Sequence, residues 1–257
     1  MEARDIQFPT FESFQAWFEE KTRDYPFKTG KYRGSFIRDF SEGKVPIEVL
    51  REIAKQSYIF IQSTNGNVTC ALVNHADLWR KYPELYDIVA AKVGSELSQP
   101  APGGHGRVYL KYVRYLGLKD EDLFGAKPIP ELDAQCNDHV SYRSQRPART
   151  AVRWMLEGLV GYRMKCYRDI LHEKYRLPDD ILEYFDMHVV ADLEEHGPEG
   201  EIMLKRLYEL GLVTEEDYEP MRLEVEGYDG RRASGTPGIS WQDILYAQYC
   251  SASSQKV

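Results

Sequence analysis

The sequence predicts an all-α protein that forms one domain. Apolar residues recur at spacings of three and four along most of the chain, which is the period of one face of an α-helix. No segment of convincing length alternates apolar and polar residues as a half-buried strand does. The 257 residues, 42% of them hydrophobic, are enough to bury a sizeable core. We therefore expect about seven to nine helices.

Residues that favour helix ends separate the helical segments. Thr10 is a candidate N-cap, and Pro46 stands where a long buried helix begins. The sequence PAPGG at 100–104 interrupts the pattern, and Gly117 ends the helix that follows. The predicted helices cover residues 10–24, 46–72, 77–98 (interrupted near Pro83), 105–116, 151–174, 185–196, 199–211, 214–224 and 240–249.

Other parts of the chain are less regular. Residues 35–40 can add a turn of helix, residues 126–130 favour a loop, and the span from there to 149 has no clear pattern. A Gly-rich polar stretch begins at residue 226. We expect residues 1–257 to form a single helical domain in which 226–257 contribute a loop and a short helix.

Composition excludes several classes of protein. The net charge of −8 argues against general binding to nucleic acid or to anionic membranes, since both need a basic patch. No apolar run is long enough to span a membrane, and the acidic N-terminus lacks the apolar core of a secretory signal. The four cysteines (Cys70, Cys136, Cys166 and Cys250) are scattered, which indicates neither a zinc finger nor a disulfide framework. A cytoplasmic protein with reduced thiols is expected.

The most informative stretch is FDMHVVADLEEH at 185–196, which ends at a Gly-Pro pair. His188, Asp192 and His196 follow one another at intervals of four, so they form a stripe roughly 80° wide and about 12 Å long on a straight helix. One ion cannot easily reach all three groups. Either two ions lie along the stripe with Asp192 between them, or the helix is locally unwound, or one histidine is a bystander. A stripe that simply faces water is a further alternative.

Further ligands would have to come from other helices. Glu157 lies within the apolar run AVRWMLEGLVG, where a buried carboxylate needs a cation or a pKa shift. A surface position, or a pair with Arg153 or Lys165, would also explain Glu157. Glu96 and His105 flank the break at 100–104, and a kink there can turn both side chains inward.

Together these positions form a set of carboxylates and imidazoles without thiolates, which suits iron or manganese better than zinc. The candidate metal ligands are Glu96, His105, Glu157, His188, Asp192 and His196. The remaining histidines, His75, His139 and His172, have no such company and are interpreted as structural.

The order and spacing of these pieces resemble the heme-oxygenase-like diiron oxidase/oxygenase family, within the TenA/PqqC-like superfamily. The matching pieces span most of the chain. They are Tyr25-Pro26-Phe27, Gly43-Lys44-Val45, Leu50 to Tyr58, Glu96, His105, Tyr112, Leu116-Gly117-Leu118, Pro128-Ile129-Pro130, Glu157, and His188 to Gly197.

The resemblance implies a heme-oxygenase-like seven-helix bundle that binds no haem. It implies two Fe(2+) ions per chain held by the six side chains above, and the donor set by itself leaves manganese as an alternative. It also implies O2 as co-substrate in the oxidation of a small molecule, by N-oxygenation, desaturation, oxidative C–C cleavage or decarboxylation, usually in natural-product biosynthesis. A homodimer would be unsurprising for this superfamily.

Two features depart from the family pattern. Many members have His-x3-Asp-x2-His, whereas three residues separate Asp192 from His196 here, which places Glu195 where the last histidine often falls. His196 is favoured as the last ligand because it continues the stripe, and Glu195 stays an alternative. Glu96 and His105 are also further apart than usual, which indicates a wider loop.

Candidate substrate contacts are Trp154 and Lys165, near the Glu157 face of the same helix. A cationic lysine could hold a carboxylate, so an amino acid or another small acid is a plausible substrate, and a fatty acid is possible if the cavity is long and apolar. A core tryptophan and a surface lysine are the plainer interpretations.

Two other functions stay open. One is a metal-free relative, either a TenA-like thiaminase with Cys136 or Cys166 as nucleophile or a PqqC-like cofactorless oxidase. The other is a non-catalytic helical binding protein.

Overall fold

The computed structural model describes residues 7–32, 34–101, 103–141, 146–228 and 240–254, with the backbone alone at 138–141. All regular structure within these ranges is helical, which confirms the all-α prediction. The Gly-rich part of the expected C-terminal loop and the side chain of His139 lie outside the described residues.

The helices are α1 (Phe11–Thr22), α2 (Pro26–Thr29), α3 (Ser35–Ser41), α4 (Ile47–Asn74), α5 (Ala76–Lys81), α6 (Pro83–Ser98), α7 (Gly104–Tyr115), α8 (Asp120–Phe124), α9 (Pro130–Ser141), α10 (Pro147–Glu173), α11 (Glu183–Val190), α12 (Gly197–Glu209), α13 (Glu215–Glu226) and α14 (Trp241–Ser254). A 3₁₀ turn covers Asp179–Ile181, and a π-helix over Ala191–His196 joins α11 to α12.

Prolines begin several of these helices. Pro83 starts α6 and separates it from α5, as its position in the predicted 77–98 segment suggested. Pro130 starts α9 in a span where sequence periodicity indicated nothing, and Pro147 starts α10 before the predicted boundary at 151. A proline at the first helical position loses no hydrogen bond, because that N–H has no partner within the helix.

The core surrounds α10. Every residue from Ala148 to Glu157 is buried, so this half of the helix is enclosed on all sides. One apolar cluster, which includes Phe36, Val49, Tyr112 and Phe185, lies towards α3, α4, α7 and α11. A second, which includes Phe14, Trp79, Trp154 and Met203, lies towards α1, α5 and α12. Each large apolar side chain buried in this way contributes about 1.5–3 kcal/mol.

Glycines bring α10 and α12 into close contact. A Cβ built on Gly200 would lie 2.3 Å from the backbone nitrogen of Met155, and one on Gly197 would lie 3.0 Å from Gly158 Cα. Gly158 follows Glu157 and Gly197 follows His196 in the sequence. The glycine contact therefore brings the Glu157 and His196 side chains to the same place in the bundle.

In the part of the chain that the structure describes, no helix combines the length and the apolar character needed to cross a bilayer.

Candidate metal centre

The structure brings the six predicted ligands together in the interior. They come from α6, α7, α10, α11 and the π-helix, and each is between 2% and 8% exposed. Glu96, Glu157 and His196 each offer one donor atom, and these atoms lie within 4.8 Å of one another. His105 packs against both other histidines, with ring centroids 4.6 Å from His188 and 6.2 Å from His196.

The turn between α6 and α7 positions Glu96 and His105. Gly104 adopts a φ of +67°, and a Cβ at this residue would lie 2.3 Å from the carbonyl oxygen of Glu96. Only glycine fits so close a reversal. The next residue, His105, consequently faces Glu96, and its Nδ1 lies 3.0 Å from Glu96 Oε2. This is the inward kink that the 100–104 break suggested.

The π-helix determines which side chains of the 185–196 stretch face inward. Its wider turn places Asp192 and His196, four residues apart, on the same side, with His196 Nδ1 3.1 Å from Asp192 Oδ1. His196 is 2% exposed, whereas Glu195 lies at the surface. The stripe is therefore not a straight α-helical one. Between the two candidates for the last ligand, only His196 points towards the other five side chains.

His188 is held in a form that can bind a metal. Its Nδ1 donates a hydrogen bond of 2.8 Å to the carbonyl oxygen of Tyr184, which leaves Nε2 unprotonated. The ring of Tyr184 packs against that of His188 at 4.2 Å between centroids. Burial lowers the pKa of His188, so the neutral imidazole is favoured at pH 7.

A buried lysine was not among the predicted site residues. Lys92 is 1% exposed, and its Nζ lies 2.7 Å from Glu96 Oε1 and 2.5 Å from Glu157 Oε2. The carboxylates overcome the effect of burial and raise the pKa of Lys92, so it is charged. Burial likewise opposes ionisation of Glu96, but Lys92 and His105 hold its pKa well below the ordinary range. The partner of Glu157 is thus Lys92, and neither Arg153 nor Lys165.

Lys92 could have been found from the sequence. It precedes Glu96 by four residues, so both side chains lie on one face of α6, and that helix also turns Leu85 and Val89 inward. A charged residue on the inward face of a helix, one turn from a predicted ligand, indicates a further residue of the same site.

The charges and hydrogen bonds of the cluster fit a bound cation. Glu96, Glu157 and Asp192 carry three negative charges against the one positive charge of Lys92, which leaves two in excess when the imidazoles are neutral. Asp192 Oδ2 is buried and lacks a hydrogen-bond partner among the described residues. Buried groups of this kind are costly unless a ligand satisfies them. Oxygen and imidazole donors without thiolates suit iron.

A cavity of about 230 Å³ adjoins this cluster. Its wall includes Glu96, His105, Glu157, His188 and Asp192. Aromatic residues are the largest class in the remaining wall, and those that contribute rings include Phe27, Tyr32, Phe36, Phe40, Phe60, Tyr109, Tyr112, Tyr167, Tyr184, Phe185 and Trp241.

The structure does not bring the two predicted substrate contacts to this cavity. Lys165 has a side chain that is 62% exposed, and its Nζ pairs with Asp169 at 2.8 Å on the outside of α10. Trp154 is 1% exposed and packs in the second apolar cluster. The cationic side chains that do line the cavity are Arg153 and Arg163.

Of the two cysteines considered as nucleophiles, Cys166 lies near the cavity wall. Its Sγ is 3.0 Å from the hydroxyl of Tyr32, and burial raises the pKa of the thiol. The backbone carbonyl of Cys136 accepts a hydrogen bond from Ser63. His172 bonds through Nδ1 to the carbonyl of Leu177, and His75 packs on Trp79, so both lie away from the cluster.

Comparison with known proteins identifies the family. No curated protein matches the chain. A family model described as iron-containing redox enzyme matches residues 68–215, which is more than half of the chain and includes all six predicted ligands. The resemblance seen in the sequence motifs is confirmed at this level. With its all-helical bundle, the chain belongs to this family of iron-containing redox enzymes in the heme-oxygenase-like superfamily.

Proposed function

We propose that this protein is a non-heme diiron oxidase or oxygenase that activates O2 to oxidise a small organic acid or amino acid in natural-product biosynthesis. One observation carries the proposal. In a chain of an iron-containing family, three carboxylates and three imidazoles converge in the interior beside a cavity. The residues that would hold the two irons are Glu96, His105, Glu157, His188, Asp192 and His196.

Iron bound there would supply the redox chemistry with O2, for reactions such as N-oxygenation, desaturation or oxidative C–C cleavage. The protein contributes orientation. The Tyr184 carbonyl fixes the tautomer of His188, and Asp192 fixes the ring of His196 through the bond to its Nδ1. Imidazoles oriented in this way bind metal more tightly than free ones, because their rings are already in place.

The surrounding side chains contribute a dry environment. Tyr109, Tyr112, Tyr184 and Phe185 are each at most 6% exposed and separate the cluster from bulk water. Burial raises the pKa of Tyr184 well above its ordinary value, so its hydroxyl stays protonated. A water-poor wall of this kind protects reactive species from side reactions and strengthens the electrostatic interactions of the carboxylates.

The test is anaerobic titration of the full-length protein with Fe(II), followed by addition of O2 and candidate acids under stopped-flow absorbance. We expect uptake of close to two irons per chain, a transient visible absorption, and O2 consumption that depends on iron. Glu157→Gln, His188→Ala and His196→Ala should each lower iron uptake.

Glu195→Gln is the matched control for His196→Ala, since Glu195 is adjacent in sequence and lies at the surface. It should bind iron like the unmodified protein. Absence of iron uptake, or uptake that is insensitive to the three ligand substitutions, would contradict the proposal. The same titration with Mn(II) tests the alternative metal.

A further inference from the structure

Two arginines line the cavity on either side of Glu157. Arg153, Glu157, Val160, Arg163 and Tyr167 lie on the stripe of α10 that faces the cavity. Along the axis, Arg153 is about 6 Å from Glu157 in one direction and Arg163 is about 9 Å away in the other. Both guanidinium groups belong to the same long helix that carries a predicted metal ligand.

The environment of these arginines is aromatic. Arg153 is 8% exposed, and its Cζ lies 5.2 Å above the centre of the Tyr228 ring. Arg163 is half-buried, and the ionisable groups that act on it most strongly are phenols, those of Tyr228, Tyr25, Tyr167 and Tyr184. Within the described residues, no carboxylate lies within ion-pair distance of either guanidinium.

A structural arginine of the same helix looks different. Arg149, one turn before Arg153, is fully buried and pairs with Glu224, with Nε 2.9 Å from Oε2. That pairing is the usual solution, since a buried charge is costly without a counter-charge. Arg153 and Arg163 have aromatic neighbours where Arg149 has a carboxylate. An anion that enters the cavity would supply the missing charge.

The acidic side chains that line the cavity limit the kind of anion that can bind beside the two arginines. Glu96, Glu157 and Asp192 belong to the metal centre. Asp243 accepts hydrogen bonds from the backbone nitrogen of Phe36 at 2.9 Å and from the hydroxyl of Ser240 at 2.9 Å, so it is engaged in capping α14. Among the described residues, the cavity therefore offers no spare carboxylate to the ammonium group of an amino acid. Its aromatic wall favours an apolar body.

We propose that Arg153 and Arg163 form an anion subsite in this cavity, and that the substrate is a monocarboxylic acid with an apolar chain or ring. The carboxylate binds the guanidinium forks, which match its two oxygens, and the apolar body lies along the aromatic wall beside Glu157. The subsite itself does not depend on the proposed function. The identification of the acid as the substrate does rest on it, because the acid is a substrate only if the centre oxidises it.

Calorimetry on the full-length protein, kept anaerobic, tests the subsite with and without added Fe(II). The probes are straight-chain carboxylates of increasing length and ω-phenyl carboxylates, each compared with its neutral primary amide and with the corresponding amine. Inorganic phosphate is included as an anion without an apolar body. We expect an acid of suitable length to bind at least about tenfold more tightly than its amide, and the amine and phosphate to bind weakly or not at all.

Substitution then locates the contact. Arg153→Gln and Arg163→Gln should each weaken acid binding about 10- to 100-fold and leave amide binding unchanged, with Arg163→Lys between Gln and the native residue. Lys165→Gln, two positions from Arg163, tests the lysine that the sequence suggested and should have no effect. Lys205→Gln on the exposed face of α12 controls for net charge, and circular dichroism verifies that each variant is folded.

The inference is wrong if no acid binds the native protein, if acid and amide bind equally, if phosphate binds as tightly as the best acid, or if folded Arg153→Gln and Arg163→Gln variants bind the acid normally. Because binding is measured without turnover, these results are separable from the iron titration. Iron uptake with unchanged acid binding in the arginine variants would reject the subsite and leave the diiron proposal standing. Acid binding that depends on the two arginines, in a protein that takes up no iron, would support the subsite and reject the diiron proposal.

Discussion

Lys92 Nζ lies 2.5 Å from Glu157 Oε2, and this pair joins α6 to α10 in the middle of the bundle. Both side chains are buried, and Lys92 also contacts Glu96 at 2.7 Å. A cationic side chain thus lies between two predicted metal ligands and partly neutralises them. The stability of the protein and its affinity for metal should consequently depend on the same lysine.

Lys92→Met removes this charge and keeps most of the volume. In the metal-free protein, Glu96 and Glu157 would lose their cation, so we expect a loss of about 3 kcal/mol in the free energy of unfolding. Anaerobic Fe(II) should restore a large part of that loss, because the ion supplies positive charge in place of the lysine. Urea denaturation with and without Fe(II) measures both effects.

Lys165→Met is the control, since Lys165 forms an exposed pair with Asp169. Its effect should stay below about 1 kcal/mol and should not depend on Fe(II). A Lys92→Met protein as stable as the native one, or one that iron does not rescue, would show that the lysine does not balance the two carboxylates.

Stability should fall in acid because of Glu96. The pKa of this carboxyl is lower in the folded protein than its ordinary value of 4.5. A depressed folded pKa contributes stability that is present above the ordinary value and is lost as the pH falls below 4.5 through the folded pKa. In Lys92→Met the folded pKa of Glu96 should lie closer to 4.5, so this carboxyl should contribute a smaller loss of stability as the pH falls. Unfolding free energies of the metal-free proteins between pH 3 and 7 test this, and superimposable profiles would contradict it.

The close contact between α10 and α12 should tolerate no side chain at Gly200. A Cβ there would lie 2.3 Å from Met155 N and 2.7 Å from Ala151 O, both of them backbone atoms that cannot move aside. Gly200→Ala should therefore destabilise the protein by about 3 kcal/mol. Gly94→Ala is the matched control in α6, because nothing lies within 4 Å of its Cβ position. It should stabilise by about 0.5–1 kcal/mol. Thermal and urea unfolding measure the stability of both variants. Equal effects of the two substitutions would refute the contact.

Cys166 should not be a nucleophile. Burial raises the pKa of its thiol above 9.0, so little thiolate exists at neutral pH. We expect Cys166→Ser to retain iron uptake and O2 consumption. Iodoacetamide should alkylate the exposed Cys250 first, and the rate at Cys166, followed by peptide mass spectrometry, should still be rising above pH 9. Loss of turnover in Cys166→Ser with normal iron content would favour a metal-free mechanism that uses this cysteine.

Much of the fold was predictable because the features that indicate a helix lie within the helix itself or at its ends. The periodicity of apolar residues and the positions of Pro83, Gly104 and Gly117 indicated most of the long helices and their ends. The helix α9 was not predicted, since its apolar pattern is weak, and its packing against α4 joins residues far apart in the sequence. The six candidate ligands were found because carboxylates and histidines within apolar helices are conspicuous. Their role as ligands stays a prediction, as does the single-domain organisation.

By itself, the sequence determined the helical class, the metal-compatible donor set and the family, since each depends on residue types and on spacings along one chain. Only the tertiary structure showed that Lys92 lies between Glu96 and Glu157, that a π-helix turns His196 inward and Glu195 outward, and that Arg153 and Arg163 line the cavity while Lys165 lies outside. These facts concern residues far apart in sequence or side chains a fraction of a turn apart on one helix. Spacing on an ideal helix cannot resolve them, because which face is buried depends on the helices packed against it.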